Sequence, residues 1–234
     1  MKKRLTFISD THNKHEKLNG FLPGGDILIH SGDLTGRGYT NELEGFFKWY
    51  DKIDNYDHKI FIAGNHDFGF QDEADKIKGL LTGYKTIDYL QDEYMGIQDG
   101  DESELKIWGS PWQPEFHNWA FNLPRGEKIK EKWDMIPADT DILITHGPPL
   151  GKLDYVKYSY ENVGCEELMK RVEEIKPKIH LYGHIHSSYG YVFDGDTHFI
   201  NAAVLNERYE FQNKPLTVDW DPKTNELEFV DNAG

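Results

Sequence analysis

The chain has 234 residues, 38% hydrophobic and 14% aromatic, which is enough apolar material for a core and too much for wholesale disorder. Its 41 Asp and Glu outweigh 26 Lys and Arg, and the net charge of −15 argues against non-specific nucleic-acid binding and against docking on anionic membranes, while allowing a local cationic site. The single cysteine, Cys165, excludes an intramolecular disulfide and fits a reducing compartment, and no apolar run reaches the roughly 18 residues of a membrane span.

Met-Lys-Lys-Arg opens the sequence, but the apolar stretch after it, Leu5 to Ile8, is too short for a signal-peptide core, so a cytoplasmic protein is expected. Leu5–Ser9, Asp26–Ser31 and Lys59–Ala63 are short apolar runs of the kind that form strands buried on both faces. Between the last two, Leu43, Phe46, Phe47, Tyr50 and Ile53 recur at helical spacing, with Asn41 as the expected cap and Glu44 three residues on. Gln91–Gly100 reads as a polar loop, and the acidic run Gln98–Glu104 as a solvated one rather than a calcium site. Arg125–Met135 is a charged helix candidate, and Asp141–Thr145 is a fourth buried-type strand. Gly164–Ile175 places Leu168, Met169, Val172 and Ile175 on one helical face, with Pro177 as its stop, and Ile179–Tyr182 is a fifth strand. Tyr189–Phe193, His198–Ala202, Leu216–Trp220 and Glu226–Val230 suggest hairpins and antiparallel additions. No repeat or linker divides the chain, so one α/β domain over 1–234 with a mixed sheet is expected.

Each of the five buried-type strands runs into polar, ligand-type residues. The tips are Asp10-Thr11-His12, Gly32-Asp33, Gly64-Asn65-His66-Asp67, His146-Gly147 and Gly183-His184-Ile185-His186. Open α/β sheets bind ligands just beyond the carboxyl ends of their strands, so five such tips would converge on one site. Asp, His and Asn without Cys suit two divalent ions such as Mn²⁺, Fe²⁺ or Zn²⁺, with Mn²⁺ favoured. In Asp10-x-His12 and His184-x-His186 the paired side chains would share a face if extended, gripping one ion or splitting between two. Glycines 32, 64, 147 and 183 would let the backbone turn beside them. Taken singly, each block has an ordinary explanation as a turn or a solvated strand end. Taken together and in order, they point to metal.

The five blocks resemble those of the calcineurin-like metallophosphoesterases, and the similarity runs from about Leu5 to Ala203 with every block intact. Gly109–Phe116, Trp119–Asn122 and Thr145–Pro149 resemble a narrower metallophosphoesterase-domain-containing (MPPED-like) branch, which includes class III cyclic-nucleotide phosphodiesterases. The resemblance implies a four-layer αββα sandwich, with two mixed β-sheets flanked by helices and a dinuclear centre between them. By motif, one metal would take Asp10, His12, Asp33 and His186, and the other Asp33, Asn65, His146 and His184. His66 would be the non-ligand catalytic histidine, and Asp67 would orient its ring or hold its charge.

The expected reaction is hydrolysis of a phosphodiester, cyclic nucleotides among the candidates. Two cations roughly 3.5–4 Å apart would neutralise the phosphate and generate the attacking hydroxide. His66 would serve the leaving alkoxide, and acid catalysis of that kind contributes roughly 10²–10⁴-fold. The expected partner is a small phosphodiester or nucleotide, with a homodimer allowed. Trp112, Phe116, Trp119 and Phe121 would either cover the sheet or stack a base, and His117 among them could touch substrate. Asn201 is expected in a hydrogen-bonding role, and His15, His30, His58, His180 and His198 as surface or structural residues. Rival readings are a phosphomonoesterase, a nuclease of the same superfamily, disfavoured by the acidity, and a scaffold that has lost its site, disfavoured because every ligand position is filled.

Overall fold

The computed structural model describes residues 2–99 and 103–230. From the N-terminus, β1 (Lys3–Ile8), β2 (Gly25–His30), α1 (Thr40–Lys52) and β3 (Tyr56–Phe61) are followed by α2 (Gly69–Asp72), α3 (Ala74–Leu81), β4 (Asp88–Tyr89), β5 (Glu93–Asp99) and β6 (Ser103–Ser110). Two short strands, β7 (Gln113–Pro114) and β8 (Asn122–Leu123), precede α4 (Glu127–Trp133) and β9 (Ile142–Thr145). Then come β10 (Tyr155–Val156), β11 (Glu161–Asn162), α5 (Glu166–Ile175), β12 (Ile179–Tyr182), β13 (Gly190–Phe193), β14 (His198–Asn201), β15 (Leu216–Trp220) and β16 (Leu227–Phe229).

These strands form two six-stranded sheets, ordered β16-β15-β1-β2-β3-β4 and β13-β14-β12-β9-β6-β5. Both are mixed: β1, β2, β3 and β4 run parallel in the first, and β14, β12, β9 and β6 in the second, with antiparallel strands at the flanks. The apolar runs are continuous because each sheet is covered twice. Phe7, Ile29 and Ile60 of the first sheet meet Ile107, Ile144 and Leu181 of the second in the central layer. On the outer face of the first sheet, Leu28 and Phe61 pack under Leu43, Phe46, Phe47 and Tyr50 of α1. On the outer face of the second, Leu143, Tyr182 and Phe199 pack under Trp133 of α4 and Leu168 and Val172 of α5. The result is the expected four-layer αββα sandwich.

The sequence reading errs locally in two places. Gln91–Gly100 is largely strand: β5 pairs antiparallel with β6, and Ile97 is buried opposite Leu105. β5 lies at the sheet edge with most of its side chains toward solvent, so its composition looks like that of a loop. Of the acidic run Gln98–Glu104, residues 100–102 lie outside the described residues. The second error is the cap of α1, which is Tyr39 rather than Asn41. Glu42, not Glu44, reaches back to the Tyr39 and Arg37 amides, each at 3.1 Å.

The parallel strands of both sheets end at one edge of the sandwich. A parallel bridge between Ser9 and Ala203 joins the sheets there, with the Val204 amide donating to the Ser9 carbonyl at 3.0 Å. All five polar tips lie along this seam.

Candidate metal centre

The tips are held by a strained backbone. Asp10, His12, Asp33 and His184 all lie in the left-handed region, at φ 55°, 41°, 55° and 66°. Non-glycine residues seldom adopt it and hold it only where their surroundings dictate, which is common at functional sites. The Asp10 amide bonds the Gly32 carbonyl and the His12 amide bonds the Asp33 carbonyl, so the first two tips are locked as a pair. Asp-x-His and His-x-His are therefore curled, not extended, and His184 and His186 part company.

Among the described residues three groups could hold an ion, and one of them, His12, Asp33 and His66, overlaps the other two and brings the His66 ring within reach of the ligand set. The ligand atoms of Asp10, His12 and His186 lie within 4.8 Å of one another, and so do those of Asp33, His146 and His184. Asn65 joins the second group, its Oδ1 2.9 Å from His146 Nε2. Asp33 stands between the groups, with Oδ1 3.4 Å from His146 Nε2 and Oδ2 3.5 Å from His12 Nε2. The structure thus brings the seven residues expected as ligands to one place, with His66 beside them.

Backbone carbonyls orient the rings. Nδ1 of His12, His146 and His186 bonds the carbonyls of Thr35, Ser31 and Asn206 at 3.2, 3.0 and 2.9 Å. Each Nδ1 must then carry the proton, which leaves Nε2 as the ligand atom. Burial lowers His12 to about 4 and His184 to about 3, so both imidazoles are neutral. Burial also opposes charge on His146 and His186, but Asp33 raises the first to about 9 and Asp10 raises the second. Burial opposes ionisation of Asp10 and Asp33 as well, yet His186 and His146 hold these carboxyls below the usual range.

These residues fit a metal. His12 Nε2 is buried without a hydrogen-bond partner and faces two carboxylates, a placement a cation would satisfy. The donors are oxygen and nitrogen only, since Cys165 is buried elsewhere against the Trp133 indole. Two of the four glycines serve as clearance rather than as turns. A Cβ on Gly183 would sit 2.0 Å from Asp10 Oδ2, and one on Gly64 2.3 Å from Asp33 Oδ1.

Asp67 requires a correction. Its carboxylate accepts from the Gly64 and Leu34 amides on one oxygen and from the Thr35 amide and hydroxyl on the other, at 2.7–3.1 Å. None of these donors belongs to the His66 ring. Asp67 clamps the Gly32–Thr35 loop to the Gly64 loop, and burial, then Asp33, pushes it up to about 6 against those four donors. His66 is oriented instead by the Gly36 carbonyl, 2.9 Å from its Nδ1, and by Trp119, whose ring stacks on it at 4.1 Å and 27°.

A cleft of about 430 Å³ opens over the ligands and is lined by His12, Asp33, Asn65, His66, His184 and His186. Its walls also hold Phe116, Trp119, Tyr158 and Tyr209. Trp112 and Phe121 are packing residues: the Trp112 indole bonds Asp92, and Phe121 is buried edge-on to Trp112. His117 is exposed against Phe116 and lies outside the cleft lining. Asn201 staples the Gly183–His186 loop through the Gly183 and Ile185 carbonyls. His30 and His180 are buried on the hydroxyls of Thr11 and Thr145, both lowered by burial to about 3. Sequence reasoning missed Tyr158 and Tyr209, which follow no polar strand tip.

A sequence profile of the Calcineurin-like phosphoesterase family matches residues 3–188. The chain is 41% identical over 232 residues to human metallophosphoesterase domain-containing protein 1, covering 92% of this chain and 70% of that one. It is 37% identical over 238 residues to the UPF0046 protein T07D4.2 of Caenorhabditis elegans, covering 92% and 59%. Its fold matches that of phosphopantetheinyl hydrolase from Mycobacterium tuberculosis with a TM-score of 0.61 at 16% identity, over 97% of this chain and 95% of the other. With its ligand groups in place and this match over most of its length, the chain belongs to the calcineurin-like phosphoesterase family and is a metal-dependent hydrolase.

Proposed function

We propose that the protein hydrolyses phosphodiester bonds of small substrates, cyclic nucleotides among them, at a dinuclear centre in which Asp33 is shared. The observation that carries this is the position of Asp33, with one carboxylate oxygen toward His146 and the other toward His12. Asp10, His12, Asp33 and His186 would hold one ion, and Asp33, Asn65, His146 and His184 the other. We favour manganese. When bound, such a pair supplies charge neutralisation of the phosphate and activates water near neutral pH.

The residues of the chain do the rest. The carboxylates and imidazoles fix where the phosphate sits. The Gly36 carbonyl accepts from His66 Nδ1 and leaves Nε2 for the substrate; from the imidazolium, the Nε2 proton would pass to the leaving oxygen and leave the neutral, Nδ1-protonated ring. Trp119 keeps that ring in plane, and the cleft walls accept the organic part of the substrate. The lone Cys165 supports a reducing, cytoplasmic setting.

The test is turnover with Mn²⁺ of bis(p-nitrophenyl) phosphate, p-nitrophenyl phosphate, and 2′,3′- and 3′,5′-cyclic nucleotides. Diesters are expected to turn over, and His66→Ala to lower kcat by about 10²–10⁴-fold while retaining metal. Preference for the monoester would reject the diesterase reading. Failure on all substrates with several metals would leave a binding scaffold.

A further inference from the structure

We infer that Tyr209 is a substrate-binding residue whose phenol hydroxyl donates to a phosphoryl oxygen of the bound ester. The inference rests on the phosphoesterase reading, but the residue lies beyond the stretch that the family profile matches, residues 3–188.

The ring of Tyr209 stands edge-on over the ligand set. Its centroid lies 4.8 Å from that of His12, 5.4 Å from His186 and 6.3 Å from His66. It lines the cleft and is 42% exposed. Among the described residues its hydroxyl has no hydrogen-bond partner.

The turn that presents the ring is held rigidly. Tyr209 is left-handed at φ 58°, and its amide bonds the Asn206 carbonyl at 2.8 Å. The Asn206 side chain accepts from the Arg208 and Glu210 amides, each at 2.9 Å. Lys14 donates to the Tyr209 carbonyl. The same Asn206 carbonyl receives His186 Nδ1, so the turn and a ligand ring share one anchor. A non-glycine residue stays left-handed only where its surroundings require it.

Chemistry then selects the role. A phosphate ester entering this cleft meets the Asp33 carboxylate and needs donors for its oxygens. Arg125, a cation in the lining, already spends its guanidinium on the Gly164 and Val163 carbonyls and on Glu166. The phenol is a neutral donor, uncommitted and beside the Asp10 group. It adds no charge to a site designed for cations.

Two measurements on manganese-loaded protein test this. Tyr209→Phe removes only the hydroxyl and is expected to lower kcat/KM on bis(p-nitrophenyl) phosphate about ten- to a hundredfold. It should weaken inorganic phosphate, measured by calorimetry, by a similar factor, with manganese content unchanged. Tyr209→Ala should do no less. A Tyr209→Phe protein equal to wild type in both readouts overturns the inference and leaves the diesterase reading intact. If wild type fails on diesters, the diesterase reading falls while the phosphate titration still decides for Tyr209. Absence of phosphate binding by wild type, or loss of manganese from Tyr209→Phe, also overturns the inference.

Discussion

Replacing Asp67 by asparagine separates two roles for one carboxyl. If Asp67 served His66, the variant would fold normally and change the pH profile of turnover. The structure predicts a different result. Asp67 holds four donors, and an amide placed there must turn its NH₂ toward two of them. The cheaper orientation replaces Oδ1, because the Thr35 hydroxyl can turn to accept while the Gly64 and Leu34 amides keep their oxygen, which leaves the Thr35 amide unpaired. A buried donor left without an acceptor costs about 1–3 kcal/mol. At about 2–4 °C per kcal/mol for a chain of this size, the melting temperature should fall by about 2–12 °C. The assay is thermal unfolding, with manganese content and the pH profile measured on the folded protein at low temperature. Because the clamped loops carry Asp33 and Asn65, manganese affinity should fall too. An unchanged melting temperature with a displaced pH profile would refute the clamp and restore the pairing with His66.

Gly183→Ala should lose at least tenfold in manganese affinity, because its Cβ would lie 2.0 Å from Asp10 Oδ2, whereas Gly147→Ala, with Gln113 Cβ at 3.4 Å, should bind as wild type; equal affinities would remove the clearance argument. Trp119→Ala should lower kcat about two- to tenfold, the value of one aromatic stack on His66, with Trp119→Phe recovering most of it; a change confined to KM would place Trp119 in substrate binding alone. Manganese binding should release protons. Asp33 raises His146 to about 9, so this ligand is protonated in metal-free protein at neutral pH and must lose its proton. Affinity should therefore rise with pH from 6 to 8, and calorimetry in buffers of different ionisation enthalpy should show net release; pH-independent affinity without release would contradict the assignment of His146 as a ligand.

The five ligand-bearing tips were legible because each follows a strand whose continuous apolar run marks it as buried on both faces, although the boundaries of four of them shift by one to three residues. Among them Ile179–Tyr182 matches residue for residue, as does Leu216–Trp220, which carries no tip. Edge strand β5 was not legible, because a strand half in water carries loop-like composition and its identity comes from pairing with β6. Nor was Asp67: adjacency in sequence to His66 suggested a partnership, but the chain turns between them and the carboxylate faces the opposite loop. Tyr209 escaped because rings brought over a site by a distant turn leave no local pattern. Its strained φ and its anchor on Asn206 exist only in three dimensions.

The shared position of Asp33 is tested most directly by anomalous diffraction from crystals soaked in manganese. Two peaks are predicted, one among Asp10, His12 and His186 and one among Asn65, His146 and His184, with the Asp33 carboxylate touching both. A single peak, or peaks away from Asp33, would contradict the dinuclear centre.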